Sequence, residues 1–134
     1  MENQTGAANP KHVLVVDDNV ELARTYQELL QSRGYQASVA SNGVQALKMV
    51  MHGTIDLIVT DLTMPQLEGD MFFITVERVR PHLGNKFIFI TGNAGAPKYE
   101  AFLKRVACPV LFKPVNVDLL LETVAGVLAQ PSKG

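Results

Sequence analysis

The stretch His12–Asn19 reads HVLVVDDN: four apolar residues run straight into two adjacent carboxylates. A short run this rich in valine reads as a buried strand. Asp17 and Asp18 then stand side by side at its end. Two unit charges about 4 Å apart near a protein surface oppose each other by roughly 4 kcal/mol. Either a cation sits there, or the pair serves a chemistry that offsets the cost.

Outward from this stretch, short apolar runs alternate with helical patterns. Strands are expected at Val13–Val16, Gln36–Ala40, Ile55–Thr60, Phe87–Ile90 and Val110–Phe112. Helices are expected at Val20–Arg33, with Ala23, Tyr26 and Leu30 inward, and at Asn42–Met51, with Leu47, Val50 and Met51 inward. Further helices should run from about Asp70 to Arg80 and from Pro97 to Val106. Asn116 can cap a last one, with Val117, Leu120, Leu121, Val124 and Leu128 as its stripe. The Phe72–Phe73 pair should put one ring in the core and leave the other partly exposed. Met49, Met51 and Met71 read as core filler.

Five βα units in a row imply an α/β, doubly wound, five-stranded parallel sheet with helices on both faces. In such open sheets, ligands bind beyond the carboxyl ends of the strands. Residues 11–129 should form one domain, flanked by a flexible tail over 1–10 and a tail or linker over 130–134.

Bulk properties narrow the function. The 134 residues are 47% hydrophobic and carry a formal net charge of −1, which gives no electrostatic footprint for direct nucleic-acid binding. No apolar run approaches the ~20 residues of a membrane span. The first ten residues have neither a basic start nor an apolar centre, so no signal peptide is expected. Cys108 is the single cysteine, which excludes an internal disulfide and suits a reducing cytoplasm. It reads as a small packed residue. His12, His52 and His82 show no metal-ligand spacing.

The polar residues fall where the sheet rule points. Asp17 and Asp18 end the first strand, Asp61 the third, Thr91 the fourth and Lys113 the fifth. A parallel sheet opens all five onto one edge. Three carboxylates against one ammonium leave a formal charge of −2, which one divalent cation would cancel. Oxygen ligands of this kind favour a hard ion such as Mg²⁺. A carboxylate can attack phosphorus to give an aspartyl phosphate. Asp61 stands apart from the pair and is the better nucleophile. Mg²⁺ and Lys113 would neutralise the phosphoryl oxygens, and Thr91 would hydrogen-bond one of them. Taken singly, each residue has a plainer use: Asp17–Asp18 as a helix cap, Asp61 as a turn residue before Met64–Pro65, Lys113 as a solvated lysine.

The stretches VLVVDDN (13–19), DLTMPQLEG (61–69), FITG (89–92) and FKP (112–114) resemble the receiver domain of two-component response regulators over roughly residues 11–129. The resemblance implies the sheet order 2-1-3-4-5. It implies that Asp61 takes a phosphoryl group from a phosphohistidine on a histidine kinase or histidine phosphotransfer protein. Mg²⁺ would be held by Asp18, Asp61 and the Thr63 carbonyl, with Asp17 acting through water. Lys113 would pair with the phosphoryl group, and Lys113–Pro114 would be a cis peptide. Thr91 would swing toward modified Asp61 and bias the loop TGNAGAP, made easy to move by Gly92 and Gly95. Thr63 and Asn93 would flank the path of the attacking water.

One departure stands out. Members of that family usually carry Tyr or Phe three residues before the lysine, and this chain has Val110. Phe112 lies one step further along and does not replace it. Two other readings compete. One is a receiver fold that signals by interaction alone, which the intact Asp17, Asp18, Asp61, Thr91 and Lys113 argue against and Val110 keeps open. The other is an aspartyl-phosphate phosphatase, which would want a second aspartate where Thr63 stands. The span from Thr91 to Pro114 is similar to receivers joined to histidine kinases. A homodimer through the fourth helix, fifth strand and fifth helix is a further expectation. The downstream output is not readable from these residues.

Overall fold

The computed structural model describes residues 10–64, 66–92 and 97–133. Pro65, the tail over residues 1–9, and Asn93 and Gly95 of the expected mobile loop lie outside the described residues. The elements run β1 (His12–Val16), α1 (Val20–Ser32), β2 (Gln36–Ala40), α2 (Gly43–His52) and β3 (Leu57–Asp61). They continue with α3 (Gly69–Val79), a 3₁₀ turn (Pro81–Leu83), β4 (Phe87–Thr91), α4 (Pro97–Val106), β5 (Val110–Phe112) and α5 (Val117–Ala129). All strand pairs are parallel, in the order β2-β1-β3-β4-β5. Among the described residues, no helix is long and apolar enough to cross a membrane.

Strand periodicity divides the core into two layers. Leu14, Val16, Ile58, Phe87 and Phe89 point to one face and meet Ala46 and Val50 of α2, Phe72, Phe73 and Val76 of α3, and Tyr99 and Phe102 of α4. Val13, Val15, Leu57, Val59, Ile88 and Ile90 point to the other, against Ala23, Tyr26 and Leu30 of α1 and Leu120, Leu121, Val124 and Val127 of α5. Phe73 makes edge contacts with Phe87, Phe89 and Phe102 at centroid separations of 4.8–5.8 Å. Such pairs add about 0.5–1.5 kcal/mol beyond area burial.

Several expectations shift. Both Phe72 and Phe73 are buried, because α4 closes over the second ring. Met51 and Met71 face outward, and Val117 is exposed while Val127 takes its place in the α5 stripe. Asn42 caps α2, accepting from the Gln45 amide, where it was expected as the first helical residue. β3 starts at Leu57 rather than at Ile55, which is still buried, with Asp56 between them.

Lys86 closes the edge of the sheet opposite the carboxyl ends. Its side chain is buried, and its ammonium donates to the Val127 carbonyl at 2.7 Å and to that of Gln130. Val127 is in the last turn of α5 and also accepts from the Gln130 amide at 3.2 Å, and Gln130 is the C-cap residue, so the ammonium seals the end of the helix. Asn85 extends the clasp: its amide donates to the Pro131 carbonyl at 2.8 Å, and its side-chain oxygen accepts from the Lys133 amide at 2.9 Å.

Candidate functional site

β1 and β3 are neighbours, with Val16 opposite Thr60. The next residues, Asp17 and Asp61, therefore emerge side by side at the carboxyl edge. Both are buried, whereas Asp18 is exposed. One oxygen from each of the three carboxylates can be chosen so that all lie within 4.8 Å of one another. That cluster could hold a metal ion.

Local contacts fix each group. The Asp17 amide donates to the Ala40 carbonyl at 3.1 Å, and its Oδ1 accepts from the Asn19 amide at 2.9 Å. Asn19, rather than either aspartate, caps α1 by accepting from the Leu22 amide. After Asp61 the chain folds back, and the Gly69 amide donates to the Leu62 carbonyl at 2.9 Å. A Cβ on Gly69 would stand 2.6 Å from the Asp61 carbonyl oxygen, closer than side chains are found, so this return needs glycine. The Thr63 amide reaches Asp61 Oδ1 at 3.3 Å.

Lys113 supplies the positive charge that the opening pair demands. Its amide donates to the Thr91 carbonyl at 3.0 Å, which fixes its backbone at the sheet edge. The ammonium lies 2.8 Å from Asp61 Oδ2 and 3.6 Å from Asp17 Oδ2. Burial lowers the affinity of Lys113 for its proton, but Asp61 and Asp17 outweigh it and hold the ammonium above its usual range. Asp17 is raised, first by burial and then by Asp61 and Asp18, against the pull of the Asn19 amide and Lys113. Tyr26 of α1 is raised in turn by burial and by the Asp17 charge.

The structure brings Asp18, Asp61, Thr63 and Lys113 to one open cleft together with Gly92, and buries Asp17 beside it. Thr91 is the buried last residue of β4, opposite Phe112 in register. The Lys113–Pro114 peptide is cis. Val110 pairs with Phe89 and packs, half-buried, against the layer under α2, α3 and α4. Sequence reasoning placed Tyr26 inward but gave no site role to Tyr26, Tyr99 or Glu68. Tyr99 OH donates to the Leu62 carbonyl at 3.2 Å and to the Glu68 carboxylate. A tyrosine within an inward-facing helical stripe was the available signal, since a buried phenol needs a polar partner.

Residues 13–125 match the response regulator receiver domain family. The chain belongs to that family. It is 30% identical to the transcriptional regulatory protein GlrR of Escherichia coli K12 over 121 residues, which are 90% of this chain and 27% of GlrR. It is 33% identical to the sensor histidine kinase RcsC of Salmonella typhimurium over 84% of this chain and 12% of RcsC. The sensor kinase CckA of Brucella abortus is 30% identical over 96% of this chain and 14% of CckA. This receiver domain thus spans about a quarter or less of these relatives. Among solved structures, a CheY-like receiver domain protein from Methanospirillum hungatei superposes with a TM-score of 0.82 at 26% identity, covering 90% of this chain and 94% of the other. The response regulator TrrA of Thermotoga maritima, solved in complex with Mg²⁺-BeF, superposes with a TM-score of 0.76 at 30% identity, covering 87% and 98%.

Proposed function

We propose that this receiver domain accepts a phosphoryl group on Asp61 from the phosphohistidine of a histidine kinase or histidine phosphotransfer protein. The observation that carries the reading is the Lys113 ammonium lying 2.8 Å from Asp61 Oδ2 beside a second buried carboxylate. An oxygen of Asp61 attacks phosphorus, the P–N bond breaks, and the imidazole leaves with the electron pair. Lys113 stabilises the charge on the transferred group, and Thr91 hydrogen-bonds one of its oxygens.

The donor set fits Mg²⁺: three carboxylates within 4.8 Å carry more negative charge than Lys113 offsets. Asp18, Asp61 and the Thr63 carbonyl would hold the ion, with Asp17 behind them. Bound there, it would neutralise phosphoryl oxygens. The TrrA complex supports this choice of ion. The sensor-kinase relatives support a kinase as partner; the setting of that exchange would be the cytoplasm. Phe112, 53% exposed on β5, would contribute to a homodimer through α4, β5 and α5.

The test is incubation with acetyl phosphate and Mg²⁺, read by intact mass, with Asp61→Asn alongside. One phosphoryl group should appear on the wild type only, and only with metal. Equal labelling of Asp61→Asn would overturn the acceptor assignment. Absence of labelling and of beryllofluoride binding would favour a receiver fold that signals by interaction alone.

A further inference from the structure

Val110 has no polar side-chain atom and offers Thr91 no hydrogen bond, so an aromatic hydroxyl on β5 cannot report on the acceptor here. The structure offers a different connection. Tyr99 stands in the first turn of α4, only 3% exposed, with its ring in the core. Its hydroxyl meets two groups of the segment that follows Asp61. It donates to the carbonyl of Leu62, the next residue, at 3.2 Å. It donates to the carboxylate of Glu68, the cap residue of α3. Lys98 grips Glu68 from outside, with Nζ 3.0 Å from Oε1. Both ends of the acceptor loop are therefore fastened to one helix.

A phenol has one proton and two acceptors here, so the contact can exist in more than one arrangement. The first of its anchor residues lies next to the acceptor, and the Thr63 amide already points at Asp61 Oδ1. Phosphorylation replaces a charge of about −1 by about −2 and adds acceptor oxygens that seek donors. Thr63 follows Leu62 directly, so its movement toward those oxygens displaces the Leu62 carbonyl and pulls against the Tyr99 contact. Glu68 is held below the usual carboxylate range, first by Tyr99 and then by Lys98, so the clamp is charged near neutrality.

Resting on the phosphoacceptor reading above, we infer that Tyr99 is the positioning residue that couples the acceptor loop to α4: its hydroxyl holds α4 in the unmodified state and releases it when Asp61 is engaged. The route runs through the β3–α3 loop rather than through β5. Because the clamp opposes the engaged state, removing it strengthens binding of a phosphoryl mimic.

The experiment titrates ¹⁵N-labelled wild type, Tyr99→Phe and Glu68→Gln with beryllofluoride in Mg²⁺, following backbone amides of Lys98–Val106. Tyr99→Phe keeps the ring, and Glu68→Gln changes the clamp from its outer side should the first variant fold poorly. In the wild type the α4 amides should shift on saturation. In each variant the free protein should already show amides moved toward the bound positions, and affinity should tighten by about 5-fold or more. A merely structural Tyr99 would lower the melting temperature and leave affinity and the full α4 shift intact, and that result overturns the clamp alone. Failure of the wild type to bind the mimic overturns the clamp and the phosphoacceptor reading together.

Discussion

Lys113 and Lys86 are the same residue type at opposite ends of one sheet, and their surroundings make them different groups. Lys113 follows β5 and meets carboxylates at 2.8 and 3.6 Å. Lys86 precedes β4 and, among the described residues, its ammonium meets the carbonyls of Val127 and Gln130 at the end of α5. The Lys113 ammonium is held above the usual lysine range despite its burial. Lys86 is pushed below that range, by burial first and by Lys11 second, since neutral dipoles compensate desolvation less well than ions do. A lysine facing charge at the carboxyl edge is equipped for chemistry. One facing backbone at the other edge closes a helix and fastens the segment after it.

The largest test of that contrast is phosphoryl uptake. Lys113→Ala should slow labelling by acetyl phosphate by about 10²–10³-fold, as loss of one preorganised donor does. Lys86→Met should label at the wild-type rate. Equal losses in initial rate by intact mass would erase the distinction. Next comes stability in urea. Lys86→Met should lose about 1–3 kcal/mol, with bonds from a charged donor removed at the end of α5. Added Mg²⁺ should not restore it, whereas Lys113→Ala should regain stability with Mg²⁺, because a cation bound to the folded state substitutes for the lost charge. Restoration of both variants would show that the two ends are not independent.

The alkaline limb sharpens the contrast further. With Lys86 lowered from 10.5, the unfolded chain binds more protons in the window below that value, so its contribution to stability rises with pH there. With Lys113 raised from 10.5, its contribution is complete below that value and is lost as pH rises through the higher folded value. Urea titrations from pH 8 upward (roughly the window these shifts define) should therefore show the wild type gaining on Lys86→Met and then losing its advantage over Lys113→Ala. Parallel curves would contradict the opposed shifts. The smallest effect is expected at Asn85→Ala, about 0.5–1.5 kcal/mol from the bonds to Pro131 and Lys133, with unchanged labelling.

Every strand and the parallel sheet were legible because apolar runs and turn residues repeat with the βα period, the strand order came from the resemblance to receiver domains, and the polar cluster was legible because Asp17, Asp61, Thr91 and Lys113 each end a strand. What escaped depends on packing between distant elements. Whether Phe73 is covered depends on where α4 lies, and nothing within α3 reports that. Met51 and Met71 are apolar residues on outward faces, which composition cannot separate from core filler. Lys86 sits where a surface lysine would, and only the end of α5 turns it inward. Tyr99 and Glu68 are 31 residues apart, with no local pattern to join them.

The chain has three tyrosines and no tryptophan. Two of the three stand at the candidate site: Tyr26 feels the Asp17 charge from α1, and Tyr99 touches the residues after Asp61 from α4. Near-ultraviolet absorption and emission of the unlabelled protein therefore arise largely from the surroundings of the acceptor. Difference spectra on adding Mg²⁺ or a phosphoryl mimic read those surroundings without any attached dye. Replacing Tyr99 or Tyr26 by phenylalanine assigns the signal to one side of the sheet or the other, so the protein carries its own optical gauge of occupancy.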